Sequence, residues 1–168
     1  MRRQIVAVGT GGQGIILLAR VVTEAGRRLG MPVLSGETHG MAMRGGSVIC
    51  HVKLGEFSSP LVAAGRADLL LGLDSAEAAR SRHYLSSAGQ AAVNTTNPIA
   101  DGEVDALALA REAGSPRALN MALLGFACGH GALGLPSEIV RGAVESLSPQ
   151  EHRAANLAAF DRGTQAGG

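Results

Sequence analysis

The chain opens with a short apolar, β-branched run that stops at a glycine-rich turn and continues into a helical pattern. Residues 4–8 form the run, residues 9–14 satisfy the pattern GxGxxG, and residues 14–29 place apolar side chains at helical spacing. A strand that leads through such a turn into a helix is the context this pattern requires. The sequence therefore predicts a Rossmann-like opening βα unit, which restricts the chain to α/β folds.

In the rest of the chain, predicted strands and helices alternate at first, and only helices are predicted later. Further strands are predicted at residues 32–35, 47–54, 67–73 and 90–94. Helices are predicted at residues 74–85, 104–113, 117–130 and 136–147, with a last one that ends near residue 162 and a tail, 163–168, that frays. Residues 36–46 have no clear period and are expected to form an exposed functional loop. We expect a single three-layer α/β/α domain over residues 1–168 with a C-terminal helical cover.

Composition excludes several classes of protein. Apolar residues make up 46% and aromatic residues 2%, so the core is built from Ala, Val, Leu and Ile. With 15 basic and 14 acidic residues and no long run of like charge, the chain lacks the basic face of a nucleic-acid-binding protein. The apolar stretches are too short to cross a membrane, and no secretory signal precedes the first strand, so a cytoplasmic location is expected. Cys50 and Cys128 lack CxxC spacing and are expected to be buried free thiols, with no metal site.

The glycine turn is the first candidate binding site. Glycines let backbone amides approach a phosphate at the positive end of a helix. The candidate residues are Gly9, Gly11, Gly12, Gln13 and Gly14, with Glu37 as the acidic residue that a dinucleotide site places near the end of its second strand. Two alternatives stay open: the glycines serve only a tight turn and close packing, or the chain is a free-standing nucleotide-binding Rossmann-like oxidoreductase.

A second motif points to a particular family. Residues 37–48 read ETHGMAMRGGSV, and together with the glycine turn they resemble the paired signature of the gamma-type domain of 2-oxoacid:ferredoxin oxidoreductases. The segment is most similar to the small (beta) subunits of the indolepyruvate type, except that Met43 stands where a Gln is usual. The segments NMALLG at 120–125 and NLAAFDRG at 156–163 extend the resemblance over nearly the whole chain.

The resemblance implies a reaction and a division of labour. The reaction is oxidative decarboxylation of an arylpyruvate with coenzyme A, giving an arylacetyl-CoA, carbon dioxide and reduced ferredoxin. The chain has no GDG motif for thiamine diphosphate and only two cysteines, so it is expected to hold none of these cofactors firmly. Thiamine diphosphate and iron-sulfur clusters are expected on a large partner subunit, with coenzyme A bound on or with that subunit and ferredoxin reached through the complex. A homodimer is expected when the chain is alone.

The alternatives to this function are the gamma subunit of another 2-oxoacid:ferredoxin oxidoreductase and a pure assembly protein.

The resemblance also selects residues in the second motif. His39 and Arg44 are the catalytic candidates, the first for proton transfer or anion binding and the second as a clamp on a phosphate or carboxylate. Gly45 and Gly46 join the cofactor-binding set. The alternatives are a structural histidine, a salt bridge between Arg44 and Glu37, and a merely flexible glycine loop.

Two further expectations concern packing. Asn120 precedes an apolar helical run and is expected to cap that helix. Met41 and Met43 are expected to contact either a partner subunit or the core.

Overall fold

The fold is built on a mixed six-stranded sheet. The computed structural model describes residues 1–40 and 45–168. The strand order is β2-β3-β1-β4-β5-β6. The strands are β1 (Arg3–Thr10), β2 (Val33–His39), β3 (Ser47–Leu54), β4 (Ala67–Gly72), β5 (Leu85–Asn94) and β6 (Glu103–Val104).

Helices cover both faces of this sheet. They are α1 (Ile15–Arg28), α2 (Ser75–Ser81), α3 (Ala106–Glu112), α4 (Leu119–Gly129), α5 (Ser137–Leu147) and α6 (Arg153–Gly167), with short 3₁₀ turns at Arg82–Tyr84 and Pro116–Ala118. In the part of the chain that the structure describes, no helix is long and apolar enough to cross a membrane.

Side chains of β1 point alternately to the two faces of the sheet, and the core accordingly has two layers. Ile5 and Ala7 face the larger apolar cluster, which contains side chains from α1, α3, α4, α5 and α6. Val6 and Val8 face a smaller cluster that includes Ala78 of α2. Successive side chains of a strand point to opposite faces, so a continuous apolar run is what a strand covered on both sides requires. The predicted three-layer α/β/α arrangement with a C-terminal helical cover is confirmed.

Strand directions define two edges of the sheet. β1 pairs in parallel with β4 and antiparallel with β3, and β3 pairs antiparallel with β2. Consequently β1, β2, β4 and β5 all end at one edge, where β3 begins; we call this the carboxyl edge. The opposite edge, where β1 begins and β3 ends, is the amino edge.

Helices α4 and α6 touch backbone to backbone. Every residue of α4 from Leu119 to Ala127 is buried. A Cβ added at Gly125 would overlap the carbonyl oxygen of Phe160, and one added at Gly163 would overlap that of Ala122. The predicted fraying of residues 163–168 is therefore wrong: α6 continues to Gly167 because its last turns are packed on α4.

Tertiary pairing also moves other predicted boundaries. β2 continues to His39 because residues 33–39 pair with β3, so residues 36–39 belong to a strand and not to a loop. β5 begins at Leu85, five residues before the predicted start, and α2 correspondingly ends at Ser81. Val104, predicted to begin a helix, pairs with Asn94 in β6.

Candidate functional site

The glycine turn lies at the carboxyl edge, between β1 and α1. Gly12 and Gly14 have φ angles of +95° and +81°, a conformation that glycine adopts without steric cost. Gly14 is the N-cap of α1 and brings no capping side chain. Apart from its chain neighbours, no atom of the described residues lies within 4 Å of a Cβ built on Gly12. The turn thus leaves open space beside the positive end of a helix, where backbone amides can meet an external anion.

Two other residues of the turn act from the inside. A Cβ added at Gly9 would lie 2.5 Å from Cδ1 of Ile15 and 2.6 Å from Oε1 of Gln13. That Gln13 oxygen accepts the N–H of Thr10 at 2.8 Å, and the Gln13 amide nitrogen donates to the carbonyl of Leu73 at 3.5 Å. Gly9 and Gln13 therefore hold the shape of the turn, whereas Gly11 and Gly12 are its exposed residues.

The glycine turn meets the end of the second motif. The N–H of Gly11 donates to the carbonyl of Gly46 at 3.0 Å. A Cβ on Gly11 would lie 3.9 Å from the nitrogen of Gly45, whose own φ is +64°. The N–H of Gly40 donates to the carbonyl of Ser47 at 2.7 Å. Two motifs that are separated in sequence thus form one continuous backbone surface.

Glu37 and His39 stand side by side on β2. Residues 37 and 39 lie on the same face of the strand, and Nε2 of His39 is 3.3 Å from Oε2 of Glu37. The His39 side chain is 56% exposed and that of Glu37 is 47% exposed, so the pair contributes little stability. β3 lies between β2 and β1, which places Glu37 about 10 Å from β1 across the sheet. A dinucleotide site needs its acidic residue on a strand next to β1, so the sheet order does not reproduce that arrangement.

Other predicted residues of the second motif cannot be placed. Arg44, Met41 and Met43 lie outside the described residues. The roles predicted for Arg44, as a clamp or as a partner of Glu37, stay predictions.

Both cysteines are free thiols. Cys50 is buried on β3, where it pairs with Glu37 of β2, and burial, followed by the negative charge of Glu37, raises the pKa of its thiol to about 11. Burial raises the pKa of the half-buried Cys128 thiol to about 12. Thiols that stay protonated at neutral pH are poor nucleophiles and metal ligands. Two such thiols also do not fit an iron-sulfur cluster, which takes four thiolates.

Sequence reasoning missed the role that the structure gives to Asn120. The side chain is 3% exposed, and its Nδ2 donates to the carbonyl of Gly14 at 3.1 Å. The prediction that Asn120 caps α4 is wrong. The helix begins at Leu119, so Asn120 already lies within its first turn, where it faces α1. A Cβ on Gly14 would overlap the Asn120 amide. The bond ties the end of the glycine turn to the buried helix α4.

A second missed contact holds the start of β3. Oγ of Ser47 donates to Oε2 of Glu77 at 2.7 Å, and Glu77 is 8% exposed. The other carboxylate oxygen of Glu77 pairs with Arg80, while its N–H donates to the capping carboxylate of Asp74 at 2.9 Å. An acidic residue in the first turn of a helix usually only complements the helix dipole, so the sequence carried no signal of this tether.

Comparison with known proteins identifies the family. A family model described as pyruvate ferredoxin/flavodoxin oxidoreductase matches residues 4–166. The chain belongs to this family. The predicted resemblance to 2-oxoacid:ferredoxin oxidoreductase subunits is thereby confirmed.

Curated relatives match this family member over nearly its whole length. Indolepyruvate oxidoreductase subunit IorB of Archaeoglobus fulgidus is 32% identical, over 97% of this chain and 94% of that protein. The protein of the same name from Thermococcus kodakarensis is 31% identical, over 96% of this chain and 94% of its own.

Solved structures share the fold. The gamma subunit of keto/oxoacid ferredoxin oxidoreductase from Geobacter sulfurreducens superposes with a TM-score of 0.80 at 23% identity, covering 98% of both chains. A 2-oxoglutarate:ferredoxin oxidoreductase from Magnetococcus marinus, solved with 2-oxoglutarate, coenzyme A and succinyl-CoA bound, gives a TM-score of 0.77 at 20% identity. The match covers 99% of this chain and 31% of that one. At these identities the likeness supports the fold alone.

Proposed function

We propose that the chain is the small subunit of an indolepyruvate-type 2-oxoacid:ferredoxin oxidoreductase and that residues 1–168 form one domain of that complex. The complex would oxidatively decarboxylate arylpyruvates with coenzyme A and pass the electrons to ferredoxin. Family membership and the two IorB relatives at 31–32% identity support the subunit type. The solved structures named for pyruvate and for 2-oxoglutarate oxidoreductases are 23% and 20% identical to this chain, and that likeness supports the fold alone.

The carboxyl edge is the functional surface in this proposal. The observation that carries it is the bond from the N–H of Gly11 to the carbonyl of Gly46, at 3.0 Å, which joins the two motifs. Gly12 would receive a phosphate group of coenzyme A, while Gly11 joins the turn to Gly46 and Gly9, Gln13 and Gly14 hold the turn in shape. The rim of the surface would be formed by Glu37, His39, Gly45 and Gly46, and the role predicted from the sequence for Arg44, as a clamp on an anion, is retained in the proposal.

The proposal assigns the resident cofactors to the large subunit. Two cysteines with raised pKa values do not fit an iron-sulfur cluster, so no electron-transfer step is routed through this chain. The role of the small subunit is to complete the site. His39 is half exposed beside Glu37, and a covering partner would bring its ring into position to bind an anion or move a proton.

Reconstitution tests the proposal. The chain is co-expressed with a candidate large subunit from the same genome, and the purified complex is assayed with a viologen acceptor and a panel of 2-oxoacids. We expect the highest kcat/KM with indolepyruvate or another arylpyruvate. A preference for pyruvate or 2-oxoglutarate would instead assign the chain to another gamma type.

A matched pair of glycine variants tests the surface itself. Gly12 and Gly30 both have positive φ, +95° and +70°, and a Cβ on either would meet no atom of the described chain beyond its sequence neighbours. Replacing either by Val introduces similar backbone strain. We expect Gly12→Val to raise the KM for coenzyme A at least tenfold and Gly30→Val to leave it unchanged. Equal effects of the two variants would remove the glycine turn from the binding surface.

A further inference from the structure

The amino edge carries a groove that the proposed function does not use. It has a volume of about 480 Å³, and its charged lining consists of Arg2, Lys53, Arg66 and Asp68 beside the ring of Phe57. We call it the amino-edge groove. It lies at the opposite end of the strands from the glycine turn, because β1 begins here and β3 ends here.

Lys53 is the unusual member of this group. The residue is 7% exposed, yet within residues 1–40 and 45–168 its ammonium has no carboxylate within 4 Å and no hydrogen-bond acceptor. The ammonium instead lies over the ring of Phe57, whose centroid is 5.0 Å from Nζ. An aromatic face uses none of the three N–H donors of the ammonium, and Nζ itself is not among the fully buried polar atoms of the described residues. Lys53 thus presents unused donors to the groove.

The other charges of the groove do not neutralise the Lys53 ammonium. Arg2 lies over the same ring, 4.2 Å from its centroid, and neither Arg2 nor Arg66 forms an ion pair in the described part of the chain. The carboxylate of Asp68 accepts the N–H of Gln4 at 2.7 Å. Three cations and one carboxylate leave the groove with a net charge of +2.

We propose that the amino-edge groove binds a phosphate group, either as inorganic phosphate or as a phosphate monoester of a small molecule. Such a dianion carries a charge of about −1.5 to −2 at neutral pH and matches the charge of the groove, whereas a single carboxylate would leave it positive. The two guanidinium groups can each donate two N–H bonds to a phosphate, and the ammonium can donate to a further phosphate oxygen. The open volume beside them accommodates the organic part of a monoester.

Titration of the full chain tests the site. Inorganic phosphate and ribose 5-phosphate are added separately to the ¹⁵N-labelled chain in a buffer free of phosphate and sulfate, at 150 mM NaCl, and amide shifts are followed by NMR. We expect saturable shifts centred on the ends of β1 and β3 with a Kd of millimolar or lower. Tighter binding of ribose 5-phosphate identifies a monoester as the ligand, and equal binding identifies the free ion. Absence of saturation at this edge with both probes would overturn the proposal.

Matched variants separate a built site from general attraction. Lys53→Met keeps an unbranched buried side chain and removes the charge, and we expect at least tenfold weaker binding. Arg20→Met removes an exposed cation from α1 and should leave binding unchanged. Should Lys53→Met fail to fold, Arg66→Gln alters only an exposed side chain and should weaken binding at least threefold. Equal weakening by Arg20→Met would reduce the effect to net charge and contradict the proposal.

His51 provides an independent reporter. Its pKa is lowered by burial and, second, by the charge of Lys53. A phosphate bound at Lys53 should therefore raise the pKa of His51, which its imidazole proton shifts can follow. Because the isolated chain is used throughout, failure here leaves the proposed oxidoreductase function untouched, and failure of the reconstitution leaves this site untouched.

Discussion

At the carboxyl edge of the sheet, buried polar side chains are bound to neighbouring elements, whereas at the amino edge three cations face a groove with one carboxylate among them. Asn120 holds Gly14, and Glu77 holds Ser47. Lys53, Arg2 and Arg66 have no such partners in the described residues. The first region is organised by the chain itself. The second has an excess of one sign of charge that a ligand can neutralise.

The difference predicts opposite responses to substitution. Removing a polar group from the carboxyl edge breaks a contact that positions the two motifs, so it should cost stability. Removing a cation from the amino edge breaks no contact with a carboxylate and relieves repulsion between like charges. Free energies of unfolding, measured in phosphate-free buffer, therefore test the comparison before any activity is assayed.

The largest effect is expected from Asn120→Asp. It keeps the shape of the side chain but places a carboxylate where Nδ2 donates to the carbonyl of Gly14. We expect a loss of about 3 kcal/mol in the free energy of unfolding at pH 7, since a buried charge would face an acceptor. Urea denaturation gives the value.

Asn156→Asp is the matched control. Asn156 is similarly buried, at 6% exposure, but its Nδ2 donates to the hydroxyl of Ser148 at 2.9 Å. A hydroxyl can reverse its role and donate to the new carboxylate, so a smaller loss is expected. Equal losses would mean that the contact of Asn120 with the glycine turn has no special place in the fold.

Glu77→Ala should have an intermediate effect. It removes the acceptor of the Ser47 hydroxyl and frees the start of β3, next to the carbonyl that Gly11 binds. We expect a loss of about 1–2 kcal/mol and faster hydrogen exchange at the Gly11 amide. Glu24→Ala, which breaks the exposed pair with Arg28, should cost less than about 0.5 kcal/mol and leave that amide unchanged. If hydrogen exchange at the Gly11 amide is the same in Glu77→Ala as in the parent protein, the bond between Ser47 and Glu77 does not stabilise the glycine turn.

A smaller effect is expected on acidification. The pKa of His51 is lowered in the folded protein, so the native state binds this proton more weakly than the unfolded chain does. The stability linked to His51 is complete above the unfolded value of 6.5 and is lost as the pH falls below it. His51→Asn keeps an acceptor for the N–H of Val62 and should flatten the profile between pH 7 and 5. An identical slope in both proteins would refute the assignment.

The smallest effect is expected from Arg66→Gln. In phosphate-free buffer the free energy of unfolding should stay within about 0.5 kcal/mol of the parent or rise slightly, since a like charge is removed from the groove. Adding phosphate should then stabilise the parent protein more than the variant. A clear loss of stability without phosphate would show that Arg66 has a partner at the amino edge and would contradict the difference drawn between the two edges.

The sequence predicted those parts of the fold that depend on local patterns. β3 has the predicted bounds, residues 47–54, because its alternation is regular and its ends are marked by glycines. β6 has two residues and no period, so only its pairing with β5 defines it. The extension of β2 to His39 likewise depends on β3 and has no local signal.

The candidate site was predictable only in part. Both motifs were found, and the structure brings Gly11 and Gly46 together at the edge where the strands end. The residues that hold them were not found, because Asn120 and Gly14 are 106 residues apart and Ser47 and Glu77 are 30 apart. Contacts at such separations leave no periodic pattern. Lys53 was overlooked for a related reason, since a lysine in an alternating strand normally indicates a solvated face.

The packing of α4 against α6 has a consequence during synthesis. Helix α4 is buried over nearly its whole length, and α6 is the last helix of the described chain to be made. At about 5–20 residues per second, the roughly 40 residues between the ends of these helices take about 2–8 s to translate. For that interval the ribosome carries an apolar helix whose cover does not yet exist. Nascent chains that stop before Arg153 should accordingly be held by chaperones, and chains that include Gly167 should be released.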